Sequence, residues 1–403
     1  MSEPTTSDTV ALVLAGGGAR GAYEAGALSV LLPVLEELGQ SPRIVLGTSV
    51  GALNAAFVAA NVERATAELI ERALAIWTSI SWGMVARPLV SASSLLRAGA
   101  YAGEVIGVRG ARLESLLDPE PLRATLHRQI DFAQLSANVD AGRLDAVGVV
   151  ATSALTGRSV VFHHGGPSPP ADDRRAIDYA PTTLADDHVL ASAAIPGLFP
   201  AVHVARPSVA RGWYLDGGTR LNTPVKPALK LGAGRVVVIA VNPLPAHPQR
   251  LAGEQRPDAL EAAGQILLGL LGDQLAADVQ TLATINTLLE AAPDRSSVGA
   301  GAKRQVPYIL IAPEKPDAVG VLAREVVREH YSSPLQTLRS PDLSLLARLT
   351  GASADPQHAE LLSFLLFASD FARALIELGQ ADAHRWLNQP HDHDQLWQVG
   401  PLT

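Results

Sequence analysis

The first strongly patterned stretch of the chain is VALVLA, residues 10–15, six apolar residues closed by glycines. So short and so uniformly apolar a run predicts a strand buried on both faces. A helix follows, because Leu28, Leu31, Leu32 and Leu35 recur at i, i+3, i+4 and i+7, and Gly39 stands where a C-cap belongs. Pro33 falls inside that helix, and its missing N–H predicts a kink or a division there. RIVLG, 43–47, predicts a second buried strand that runs through Thr48 and Ser49 straight into the small-residue helix ALNAAFVAA. The local order is strand, sharp turn, helix.

Further apolar runs occur at LDAVGVVAT (144–152), SVVF (159–162), WYL (213–215) and RVVVIAV (235–241). Strands separated by helical patterns predict an α/β fold with a central mixed, mostly parallel sheet flanked by helices. After Asn242 the texture changes. A Pro-rich stretch through Pro257 leads to an amphipathic segment, 258–290, whose stripe includes Leu267, Leu271, Leu275, Val279, Leu282 and Ile285. SSVGAGAKRQ (296–305) predicts a loop, YILIA (308–312) a strand, and HAELLSFLLFASDFARALIELG (358–379) helices. The expected division is a catalytic domain over 8–242 and a mainly helical C-terminal region, 243–403, packed on it. No internal repeat is present.

Composition narrows the function classes. With 403 residues, 47% hydrophobic and 18% charged, the chain belongs with globular proteins. A net charge of -8 argues against a basic stripe for tracking nucleic acid and weakens electrostatic attraction to anionic lipid, so membrane contact is expected to rest on apolar burial. The absence of cysteine removes disulfides, thiolate catalysis and Cys-based metal sites. The polar, acidic start MSEPTTSDTV has no secretory pattern, and no apolar run reaches the roughly 18 residues a bilayer span needs. The expected location is cytoplasmic, with peripheral membrane contact open.

Three short segments carry chemistry. GTSVG, 47–51, is a G-x-S-x-G pentapeptide between strand and helix, where Gly47 and Gly51 give a tight turn room to expose Ser49 as a nucleophile. GGGARG, 16–21, meets G-x-G-x-x-G at Gly16, Gly18 and Gly21, so a nucleotide-binding oxidoreductase is the rival reading. That rival needs an acidic residue at the end of the second strand to hold a ribose, and the second strand ends in GTSVG instead. Glycine amides at Gly16, Gly17 and Gly18 fit better as a cradle for an oxyanion. Arg20 reads either as a contact to a substrate phosphate or as a salt-bridged anchor of the loop. In YLDGG, 214–218, a strand delivers Asp216 into the glycine turn Gly217–Gly218.

In that order, GGGARG, GTSVG and DGG resemble the patatin-like phospholipase family. ASAAIPGLFPAV (191–202), NTPVKPALKLGA (222–233) and the following VVVIAV strand match its pattern too, and the tail from GLLGDQLAADVQTLATIN is similar to bacterial members. The resemblance implies a three-layer patatin-like fold and a lipid acyl hydrolase of the phospholipase A or lysophospholipase kind. It also implies a Ser49–Asp216 dyad without a catalytic histidine, a glycine-loop oxyanion hole, an acyl-enzyme and no cofactor or metal. The implied partner is a lipid with an ester-linked acyl chain. Asp216 is a weak base at its ordinary pKa, and partial burial beside WYL would raise it.

A Ser-His-Asp triad was the competing arrangement, with His163, His164, His188 and His203 as candidates. Chain order opposes it, since the elbow of α/β-hydrolases follows several strands and Ser49 follows only the second. Adjacent His163 and His164 would point to opposite faces of a strand, unsuited to one metal. The segment 77–96, with Trp77, Trp82, Met84 and Leu89, reads as a lid or acyl-chain wall, or equally as core.

Overall fold

The structure is a computed structural model that describes residues 8–87, 117–243, 286, 305–315, 317–331, 356–394 and 396–401. The predicted helical stripe of 258–290, apart from Asn286, lies outside the described residues, as do residues 296–304 of the predicted loop and residues 88–96.

The strands are β1 (Val10–Leu14), β2 (Ile44–Thr48), β3 (Ala146–Ser153), β4 (Ser159–Gly165), β5 (Ile177–Pro181), β6 (Val202–Val204), β7 (Gly212–Asp216), β8 (Arg235–Ile239) and β9 (Tyr308–Ile311). The helices are α1 (Gly21–Glu37), α2 (Val50–Asn61), α3 (Thr66–Thr78), α4 (Trp82–Val85), α5 (Glu120–Gln129), α6 (Phe132–Asp140), α7 (Asp186–Ser192), α8 (Val225–Lys230), α9 (Ala318–His330), α10 (Pro356–Leu365) and α11 (Ser369–Leu387). The short strands β5 and β6 went unread in the sequence, since IDYAP and VHV are too brief and too mixed in polarity to stand out.

The nine strands form one mixed sheet in the order β5-β4-β3-β2-β1-β8-β9, with β7 paired to β3 and β6 to β7. Its centre is parallel and fully buried: β1, β2 and β8 show almost no exposed side chain. This is why their sequences run apolar without alternation. α2 lies on β1, β2 and β3, and α8 contacts β1, β2 and β8. The C-terminal region enters the sheet itself through β9, parallel to β8, and lays α11 along α1.

α1 runs unbroken through Pro33, against the predicted division. Pro33 sits in the last turn and a half, so it removes a single hydrogen bond. Burial of Leu28, Leu31, Leu32 and Leu35 holds the rest. Gly39 caps the helix at φ 67°.

One feature of the register positions the site. β2 runs parallel to the first part of β3, ending with Thr48 opposite Val150. β7 arrives antiparallel beyond it, ending with Asp216 opposite Ala151. The other edge of β3 is occupied by β4 from Ala146 to Thr152, so β2 and β7 share one line and meet end to end. Two strands from distant parts of the chain thereby deliver their last residues to one point.

Candidate active site

The chain leaves β2 through a strained residue. Ser49 has φ 54° and ψ -124°, a combination that costs a non-glycine residue roughly 1–3 kcal/mol and is seldom kept outside functional sites. Its neighbours explain the pentapeptide. A Cβ at Gly47 would lie 2.0 Å from the Gly51 carbonyl oxygen, and one at Gly51 would lie 2.3 Å from that of Leu14. The Ser49 amide donates to Ser192 Oγ at 2.8 Å, and that hydroxyl donates to the Val150 carbonyl at 2.5 Å. Ser192 fixes the elbow to α7 and β3. It lies in ASAAIPGLFPAV, a stretch that carried the family resemblance without an assigned role for this residue.

Ser49 Oγ donates to Asp216 Oδ2 at 2.6 Å. Asp216 Oδ1 accepts from the Gly218 amide at 2.7 Å. The carboxylate is fully buried, more than the partial burial expected, and burial pushes its pKa up to about 7 while the two hydrogen bonds pull the other way. Such a group changes charge in the neutral range and so can hold or release a proton there.

The glycine loop lies beside the serine, but its three amides differ. Gly16 N–H donates to Asn222 Oδ1 at 3.0 Å, and Asn222 Nδ2 returns a bond to the Gly16 carbonyl. That amide is committed to holding the loop, which corrects its assignment as one of three equivalent donors. Among the described residues the Gly17 and Gly18 amides have no acceptor. Asn222 opens the NTPVKPALKLGA stretch, where the sequence offered a signal without a role.

Arg20 is an anchor rather than a phosphate contact. It is 1% exposed. Its guanidinium donates to Ser363 Oγ at 2.8 Å and the Glu360 carbonyl at 3.0 Å, pairs with the Glu360 carboxylate, and lies over the Phe364 ring. These partners all belong to α10, which thereby clamps the loop. A Cβ at Gly18 would fall 2.3 Å from the Phe364 carbonyl oxygen, and one at Gly17 2.2 Å from Val241 Cγ2. The loop is thus packed tightly on its Cβ side, and the second strand ends in the serine elbow rather than an acidic residue, so the dinucleotide reading has no support.

The four histidines stand elsewhere. His188 accepts from the Ala185 amide through Nδ1 and faces the Arg206 carbonyl with Nε2, which fixes its neutral tautomer. His163 bonds the Gly165 carbonyl, His164 approaches Asp140, and His203 stacks edge-on against Trp213. No group of three potential metal ligands occurs among the described residues.

An apolar cavity opens at Ser49 and Gly18, walled by Phe57, Ile76, Trp77, Leu126, Ile195 and Phe367. Of the segment 77–96, Trp77 lines this cavity. Trp82 is core, buried near Phe367 with 6.3 Å between ring centroids. The same stretch therefore serves as both wall and core.

Comparison with known proteins gives the following. The sequence matches the Patatin-like phospholipase family over residues 12–229. No curated protein sequence matches the chain. Among solved structures, VipD from Legionella pneumophila is similar at 15% identity and TM-score 0.33, covering 94% of this chain and 68% of that one. Human GIVD cytosolic phospholipase A2 is similar at 13% identity and TM-score 0.40, and this chain spans 58% of its length while 94% of this chain is covered. ExoU in its complex with SpcU, from Pseudomonas aeruginosa, aligns at 15% identity and TM-score 0.26 over 94% of this chain and 76% of that one.

Proposed function

The chain belongs to the patatin-like phospholipase family, and from that premise we propose that it is a lipid acyl hydrolase working through a Ser49–Asp216 dyad. Ser49 Oγ attacks the ester carbonyl carbon while Asp216 takes its proton. The carbonyl oxygen, now negative, is held by the Gly17 and Gly18 amides at the start of α1. Collapse of the tetrahedral intermediate expels the alcohol, which recovers the proton from Asp216, and leaves an acyl-Ser49 ester. Water attacks that ester with Asp216 again as base, releasing the fatty acid and restoring the serine. The acyl chain occupies the apolar cavity between α2, α3 and α5, whose lining suits a hydrocarbon tail. Arg20 and Asn222 act by positioning, since each holds the glycine loop.

One observation carries this reading: the 2.6 Å bond from a strained, elbow-borne serine to a fully buried carboxylate. The base must be ionised to act, so hydrolysis rises with pH through a midpoint near the Asp216 value of about 7. The test is a fluorophosphonate probe together with a panel of phospholipids, lysophospholipids and neutral esters. Labelling and lipid turnover are expected in the wild type and absent in Ser49→Ala. Labelling that survives this substitution removes Ser49 from the chemistry.

A further inference from the structure

Large apolar side chains with high exposure are few. Among the described residues there are four, Leu38, Leu155, Val209 and Trp213, and the last three gather at one end of the sheet. Leu155, 92% exposed, sits on the turn between β3 and β4. The preceding residue, Ala154, donates its amide to the Trp213 carbonyl at 2.9 Å, so this turn lies against β7. Val209, 88% exposed, rides on the connection from β6 to β7, which pair from Val202–Tyr214 to Val204–Gly212. Isolated exposed apolar residues need no explanation. Three on adjoining turns do.

Charge at the same end supplies the second observation. Arg206 and Arg211 lie on the β6–β7 connection, and Arg220 reaches the β3–β4 turn, its Nη2 3.2 Å from where a Cβ on Gly157 would stand. All three are exposed, and none pairs with a carboxylate among the described residues. The neighbouring acids are already engaged: Asp172 with Lys226, Asp173 and Asp178 with Arg158. A chain of net charge -8 thus exposes uncompensated positive charge where its apolar side chains protrude.

We propose that this end of the sheet, with Leu155, Val209 and Trp213 inserting and Arg206, Arg211 and Arg220 around them, docks the enzyme on an anionic phospholipid surface. Apolar tips ringed by arginine suit the boundary between acyl chains and anionic headgroups, where basic side chains are attracted to the negative surface. The placement also suits the chemistry. Trp213 is three residues, or about 10 Å of strand, before Asp216. Ala193, Ile195 and Phe199, which wall the apolar cavity, lead directly into β6. The proposal rests on the hydrolase reading for its purpose, and its test does not.

The test is sedimentation of full-length Ser49→Ala protein, which cannot consume the lipid, with sucrose-loaded vesicles of phosphatidylcholine alone or with about one-third phosphatidylglycerol. Expected is binding to the anionic vesicles, weakened by high salt. Leu155→Asp with Val209→Asp, and separately Arg206→Glu with Arg211→Glu, each lower the partition coefficient at least about tenfold. All four side chains are exposed, so the fold tolerates both variants, which far-ultraviolet circular dichroism checks. In a Ser49-intact background the same variants keep wild-type turnover of a water-soluble short-chain ester and lose turnover of vesicle lipid. Equal binding to neutral and anionic vesicles, or binding untouched by either pair, overturns the docking surface. So does the absence of vesicle binding, which would assign the patch to a protein partner. Loss of soluble-ester turnover in the Ser49-intact wild type would instead count against the hydrolase reading alone.

Discussion

Two fully buried carboxyl groups flank the elbow, and they are treated differently. Asp216, at the end of β7, accepts from Ser49 Oγ and the Gly218 amide, and its pKa is raised to about 7. Glu24, in the first turn of α1, accepts from Asn54 Nδ2 at 2.7 Å, but its Oε1 has no partner. Burial drives the Glu24 pKa well above its ordinary value, with only the Asn54 and Ala15 donors opposing it. The desolvation is alike. What separates the two carboxyl groups is the aim of the donors, which reach both oxygens of Asp216 and leave Glu24 Oε1 without one.

The comparison breaks most visibly in activity. Asp216→Asn keeps the shape and removes the base, so kcat for ester hydrolysis is expected to fall by at least about 10⁴-fold. Glu24→Gln keeps the shape of a side chain outside the dyad, and the enzyme should retain both its rate and a pH–rate midpoint near 7. Steady-state kinetics between pH 5 and 9 decide it. A Glu24→Gln enzyme that lost the inflection would transfer the basic role away from Asp216.

Stability gives the next largest contrast. Asp216 is protonated in both states well below pH 4. As pH rises toward 7 the unfolded chain ionises and the native one does not, so stability falls, and the loss levels off once the native group ionises near 7. A shift from 3.8 to about 7 corresponds to about 4 kcal/mol. Asp216→Asn escapes this, so its stability relative to wild type should improve by that order between pH 4 and 8 in denaturant unfolding. The gain from Glu24→Gln has the same sign, because burial also raises the native Glu24 pKa well above its ordinary value.

These residues also mark how far the sequence could be read. Ser49 was legible because an elbow is local: glycines at 47 and 51, a strand before and a helix after are all neighbours in the chain. The buried central strands were equally plain from their uniform apolarity. The Asp216 turn was visible, yet its approach to Ser49 depends on β7 continuing the line of β2 along β3, a long-range register that no local pattern encodes. Arg20 stayed open between two readings for the same reason, since the α10 residues that bind it lie some 340 positions away. Ser192 and Asn222 were inside stretches that matched the family, but their roles rest on hydrogen bonds to backbone atoms of distant strands. Glu24 carried no signal in the sequence, because its burial depends on the packing of α1 against α2 and α11.

A smaller effect sharpens the role of donors. Asn54 joins the two sides of the site: Nδ2 reaches the Gly21 carbonyl and Glu24, and Oδ1 accepts from Trp77 Nε1 at 3.1 Å. Asn54→Ala leaves those groups buried without partners, at a cost of about 1–3 kcal/mol in unfolding free energy. Asp216 keeps both its donors, so the pH–rate midpoint should stay where it is. A midpoint that moved would show that the two carboxyl sites are coupled through Asn54.

The smallest effect isolates strain. Ser49→Ala and Ser49→Gly both remove the hydroxyl that donates to Asp216, so both deprive the carboxyl of one donor and both abolish turnover. They differ in the backbone: alanine retains a Cβ at φ 54° and ψ -124°, and glycine adopts that conformation freely. Glycine also carries more entropy in the unfolded chain, which works against it by roughly 0.5–1 kcal/mol. If the elbow stores about 1–3 kcal/mol, the glycine variant should still be the more stable of the two, by about 1 kcal/mol. Alanine equal to or above glycine in denaturant midpoint would mean that strain at residue 49 does not exceed the glycine penalty of roughly 0.5–1 kcal/mol. The exposure of Ser49 to substrate would then follow mainly from the end-to-end meeting of β2 and β7.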